Sequence, residues 1–256
     1  MALRKCGLCD KLSEEEIKKE NIMHNTIDYP ITEKDSYRVP FVYGCSRKGL
    51  VFPGAHKNEI VSMRNLDEAC MDLHFAEEKT YQKVFFKGAD ALLRSEEDLE
   101  DLLGAAKKAF PALKAASLYA MPTSVLVRDM ARLKEAGLTG VYLGVAPREG
   151  VNILNAFSFD SREEEKAAAE KLHKAGLKVY GVVVAGYAKN VLALSTHLKA
   201  LKLEGVEVRR PRTANVVPLP PGKDDKSAVL PEETEIEQEI RTLKEEMEGN
   251  IWIENL

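Results

Sequence analysis

The chain has 256 residues, 45% of them hydrophobic and 30% charged, with a formal net charge of -4. That length holds one large α/β domain or two small ones, and the slight acidity argues against a nucleic-acid surface. No apolar run is long enough to span a bilayer, and Met1-Ala2-Leu3-Arg4-Lys5-Cys6 lacks the apolar stretch of a secretion signal, so a cytoplasmic location is expected.

Residues 1–35 read as a polar N-terminal extension with a short helix at 13–21, opened by the capping pair Ser13 and Glu16. Residues 39–43 read as a first buried strand, followed by a loop from Gly44 to about Lys57. Helical periodicity covers 66–78, and a second strand at 83–86 ends at Gly88. Ser95, with Asp98 three residues on, caps a helix that runs to Ala109 and is stopped by Pro111. A third strand covers 115–119.

Two later units resemble each other. Leu133-Lys-Glu-Ala-Gly137-Leu recurs thirty-nine residues on as Leu172-His-Lys-Ala-Gly176-Leu. Each reads as a helix that ends at a C′ glycine and feeds an apolar strand, at 141–143 and at 179–184. A sixth strand is expected at 206–209, with 216–217 as its possible continuation. Residues 218–232 are rich in Pro, Gly, Lys and Asp and read as a linker. Residues 233–248 read as a charged helix that packs on the outside or against a partner. Strands alternating with amphipathic helices predict a parallel sheet with right-handed crossovers. Six such units over 36–217 curl into a partial (β/α)6 barrel, with an open doubly wound sheet as the alternative.

Sites on such sheets form at the carboxyl ends of the strands. Four loops there, in chain order, resemble the radical S-adenosylmethionine (SAM) family. They are Tyr43-Gly44-Cys45-Ser46 with Phe52-Pro53-Gly54, Lys87-Gly88-Ala89-Asp90-Ala91-Leu92, Tyr119-Ala120-Met121-Pro122, and Tyr142-Leu143-Gly144-Val145-Ala146-Pro147. The first is similar to the cluster loop, the second to "D-G-D-A-L", the third to "S-Y-A-x-P" and the fourth to "V-Y-L-G-L-E-S-G". The resemblance covers residues 37–184 and implies a partial TIM barrel of radical SAM type.

It also implies what is missing. The family holds a [4Fe–4S] cluster on three closely spaced cysteines, leaving one iron open to SAM. Here Cys45 alone remains, with Leu50 and Pro53 at the other two positions in the better-fitting register. His56 is nearby, but one imidazole and one thiolate make a poor cluster site. The acidic position of the fourth loop is Ala146, and Lys87 replaces an acidic residue of the second while Asp90 is kept. The loop after the fifth strand has Gly186-Tyr187 where the family places a Gly-rich turn near the adenine.

Three readings follow. The first is a degenerate radical SAM-like protein without radical chemistry: a pseudoenzyme that pairs with a catalytic radical SAM paralogue, or a relic that binds a ligand such as SAM. The second is a barrel with altered chemistry. Tyr43, Lys87, Asp90, Tyr119, Arg148, Tyr187 and Arg209 are its candidate cleft residues for an anionic small molecule, and Arg209-Arg210-Pro211-Arg212 is the most concentrated positive run. The third is an unusual cluster, in which Cys6 and Cys9 fold over the barrel mouth to join Cys45; the plainer reading of that C-x-x-C pair is two thiols on a loose segment. The eroded ligand set argues against a [4Fe–4S] cluster, and no membrane or nucleic-acid partner is expected.

Overall fold

The structure, a computed structural model, describes residues 29–43, 62–88, 90–147, 161–210 and 231–253. The expected helix at 13–21, the strand continuation at 216–217, most of the linker, and Cys6, Cys9, Cys45, Leu50, Pro53, His56 and Arg148 lie outside the described residues.

Nine strands are described: β1 (Tyr37–Pro40), β2 (Val42–Tyr43), β3 (Ser62–Met63), β4 (Lys83–Lys87), β5 (Ala115–Ala120), β6 (Gly140–Gly144), β7 (Lys178–Val184), β8 (Gly205–Arg209) and β9 (Ile251–Ile253). The helices are α1 (Leu66–His74), α2 (Glu96–Ala109), α3 (Pro122–Val127), α4 (Met130–Ala136), α5 (Arg162–Lys174), α6 (Val191–Ala200) and α7 (Glu233–Glu246). Seven strands form one parallel sheet in the order β1-β4-β5-β6-β7-β8-β9. The sheet does not close on itself, so the predicted partial barrel is what forms. Strands β2 and β3 make a separate antiparallel pair.

Local chemistry sets the helix ends. Ser95 Oγ accepts the Asp98 N–H at 3.1 Å and caps α2. Ser161 and Glu164 form a reciprocal capping box on α5. The two Leu-x-x-Ala-Gly units end alike: Leu138 N–H reaches Leu133 O at 3.0 Å, and Leu177 N–H reaches Leu172 O at 3.1 Å. The intervening Gly137 and Gly176 have φ of 120° and 71°, which side chains resist and glycine accepts.

Alternate residues of each strand face opposite sides of the sheet. Val84, Phe86, Leu118, Val141, Leu143, Val179, Val183, Val206 and Val208 join the core beneath the helices. Phe85, Tyr119, Tyr142, Val182 and Val184 form a second cluster on the concave face.

The structure departs from expectation in four places. The first strand breaks at Phe41, whose N–H bonds to Lys87 O while its carbonyl accepts from Arg64 N–H. Helix α1 ends at His74, four residues early. Helix α7 ends at Glu246, and Glu248 and Gly249 then turn through positive φ. That turn leads into β9, a seventh parallel strand that its three residues gave no reason to expect. Helix α7 is charged, yet it buries Ile236, Ile240 and Leu243 and packs on α6.

Strand β9 is seated by one close fit. The Trp252 ring lies over Gly205, where a Cβ would come within 2.2 Å of it. Gly205→Ala therefore drives the indole off the sheet and destabilises the protein by about 2 kcal/mol. Denaturant titration, followed by emission from this single tryptophan, checks it.

Candidate functional site

The carboxyl ends of the strands hold the predicted residues, and the structure brings some of them together. Arg209, 3% exposed, ends β8. Its Nη2 donates to the Tyr119 hydroxyl and to Tyr29 O at 2.9 Å, and its Nε donates to Glu207 Oε1 at 2.7 Å. Tyr187 is half-buried against the same concave cluster, and burial pushes its phenol up. Lys87 and Tyr43 are half-buried at the ends of β4 and β2. Asp90 is buried and accepts from Ser124 Oγ on α3 at 2.5 Å, so it is tied to the helix layer.

The concave face carries a run of rings. Phe85 meets Tyr119 edge-on at 5.1 Å, Tyr119 meets Tyr142 at 5.8 Å, and Tyr142 stacks on Tyr180 at 4.7 Å. Trp252 continues the run 6.0 Å from Tyr180. Residues 29–36 lie on this wall. Arg38 sits 4.3 Å over the Tyr29 ring. Glu33, in a 3₁₀ turn and 6% exposed, accepts from Ser117 Oγ and the Tyr142 hydroxyl, both at 2.8 Å, and from Ser36 Oγ. Thr32 Oγ1 is 2.7 Å from the Tyr142 oxygen. Burial first, and the adjacent Glu33 charge second, push the Tyr142 phenol far above its ordinary value.

Two loops at the strand ends are held by buried carboxylates. After β6, Ala146 N–H donates to Glu165 Oε1 at 2.7 Å, and Arg162 Nη1 bridges Ala146 O and Glu165 Oε2 at 3.0 and 2.9 Å. His197 Nε2 lies 2.6 Å from the same Oε2. After β7, Gly186 and Ala188 both donate their N–H to Glu239 Oε2, at 2.8 and 3.1 Å. Desolvation raises the Glu239 carboxyl above its ordinary value, and the two N–H groups partly offset this.

Sequence reasoning missed all three carboxylates. Glu33 falls in what reads as an extension, and Glu165 is one of three consecutive glutamates. Only Glu239 left a signal, as an acid inside the apolar stripe of Ile236, Ile240 and Leu243. Among the described residues, no three His, Cys, Asp or Glu side chains are grouped as a metal site. Among them too, no helix is long and apolar enough to cross a membrane.

Three solved structures share this arrangement of strands and helices. Coproporphyrinogen III oxidase from Escherichia coli, a radical SAM enzyme, matches with a TM-score of 0.54 or above: 0.58, at 13% identity, over 93% of this chain and 56% of its own. The hydrogenase maturase HydG from Carboxydothermus hydrogenoformans matches at 0.54 and 14%, over 86% and 55%. The radical SAM methyltransferase TsrM from Kitasatospora setae, solved with cobalamin and a [4Fe–4S] cluster, matches at 0.54 and 14%, over 68% and 36%. This chain has a radical SAM-type fold. At such identities the likeness is one of fold, and the chain spans about a third to a little over half of these three enzymes. No protein-family model and no curated protein matches the sequence.

Two outcomes are expected from the buried carboxylates Glu33 and Glu239. Tyr142→Phe removes one of the donors that hold the buried Glu33 and destabilises the protein by about 2 kcal/mol in chemical denaturation. Glu239 holds a proton more tightly folded than unfolded, so its contribution is most favourable below the ordinary carboxyl value and is lost as pH rises through the raised folded one. The melting temperature of wild type relative to Glu239→Gln therefore falls as pH is raised from about 4 to about 8.

Proposed function

We propose that this protein keeps the radical SAM fold without radical chemistry and acts as a non-catalytic partner of a cluster-bearing relative. The observation that carries this reading is the use made of the strand ends. The N–H groups of Ala146, Gly186 and Ala188 are taken by the chain's own Glu165 and Glu239. The concave wall is lined by its own residues 29–36 through Glu33 and Arg209.

The donor set does not fit the cluster. One thiol, Cys45, stands with Leu50 and Pro53, and neither side chain has an atom that binds iron. No step is derived through the cluster or through SAM.

Anaerobic purification, reconstitution with iron and sulfide, and iron analysis test the reading. The expected result is no Cys45-dependent visible absorption band and far less iron than a cluster needs. About four irons per chain, lost in Cys45→Ala, overturn it. If a cluster forms and is lost in Cys6→Ala and Cys9→Ala as well, the N-terminal cysteines supply the other ligands.

A further inference from the structure

The geometry points to an anion-binding site at the carboxyl end of β7, which α7 covers with an acidic side chain of its own. The turn after β7 passes through Gly186 at a φ of 88°. It aims two N–H groups, from Gly186 and Ala188, at a single oxygen of Glu239. Converging backbone N–H groups in such a turn form a concave nest selective for anions. Only glycine allows the cover to sit so close, since a Cβ at position 186 would meet Pro231 at 2.6 Å and Ile236 at 2.9 Å.

The occupant is poorly matched to its place. Glu239 is 4% exposed, and its other oxygen, Oε1, is buried with no hydrogen-bond partner among the described residues. A buried charge satisfied on one oxygen only is costly to hold. Release of α7 relieves that cost and leaves the nest open to an outside anion.

A clasp on the opposite flank of α7 adds to the packing of Ile236, Ile240 and Leu243 that holds it down. Arg210, next after β8, donates to Glu233 Oε1 at 2.5 Å and to Glu237 Oε1. Both glutamates are at least half exposed, so the clasp is screened by water and salt. With α7 lifted, a guanidinium and two N–H groups stand uncovered at the ends of neighbouring strands β7 and β8. That set suits a small molecule bearing a carboxylate or phosphate group.

This inference shares the Gly186 and Ala188 contacts with the proposed partner role, and iron analysis of the same samples keeps the two questions apart. Two variants of the full chain test it, read through the amide resonances of Gly186 and Ala188. Glu239→Ala vacates the nest, and formate is expected to shift both resonances saturably, with no such shift in wild type. Glu233→Gln with Glu237→Gln loosens the clasp by changing exposed side chains alone, and inorganic phosphate is expected to bind at the same two amides about tenfold more tightly than in wild type. Absence of a formate response in folded Glu239→Ala overturns the anion site. A formate response without any gain for phosphate in the clasp variant overturns the role of α7 as its cover. A nucleoside diphosphate run beside inorganic phosphate supports the site if either binds, and tighter binding of the nucleotide identifies the larger molecule as the source of the phosphate.

Discussion

An open parallel sheet leaves a concave wall that must be covered, and here one carboxylate organises the cover. Glu33 gathers hydroxyls from Ser117 on β5, Tyr142 on β6 and Ser36 beside itself. These hydrogen bonds offset the cost of burying the carboxylate. The arrangement fixes residues 29–36 against the rings of Tyr119, Tyr142 and Tyr180, and it aligns Tyr29 O with Arg209. Arg209 in turn ties β8 to β5 through Tyr119. The position of residues 29–36 against the sheet thus rests on the same polar cluster.

Helices and strands were legible in the sequence because their signals are local. Ser95 with Asp98 and the glycines at 137 and 176 each act within five residues of themselves. The radical SAM-type fold was legible for the same reason, as a succession of short loops at βα spacing. The three buried carboxylates were not. Glu33 meets Ser117 across 84 residues and Glu239 meets Gly186 across 53. Pairings at that range leave no periodicity to read. Strand β9 was hidden for a related reason: three residues are too few to show alternation, and their seat is the bare surface of Gly205.

The loops after β6 and β7 solve one problem twice. Each ends a buried strand with N–H groups that the sheet ladder does not use, and each receives a glutamate from the helix layer. Glu165 is supported by Arg162 and His197, so both of its oxygens are bonded. Among the described residues Glu239 has no such support on its second oxygen. The same device is therefore tight at one strand end and loose at the next, and the difference lies in whether a basic side chain stands behind the acid.

The position of β9 bears on how the protein is made. Its partner β8 ends more than forty residues earlier, and the Gly205 surface stays bare until Trp252 arrives. Residues 29–36 emerge from the ribosome well before the strands they line. Residues 29–36 must therefore wait for the middle of the chain, and the edge of β8 waits for β9. During synthesis, which proceeds at roughly 5–20 residues per second, the nascent sheet carries an open edge at β8 until β9 is made.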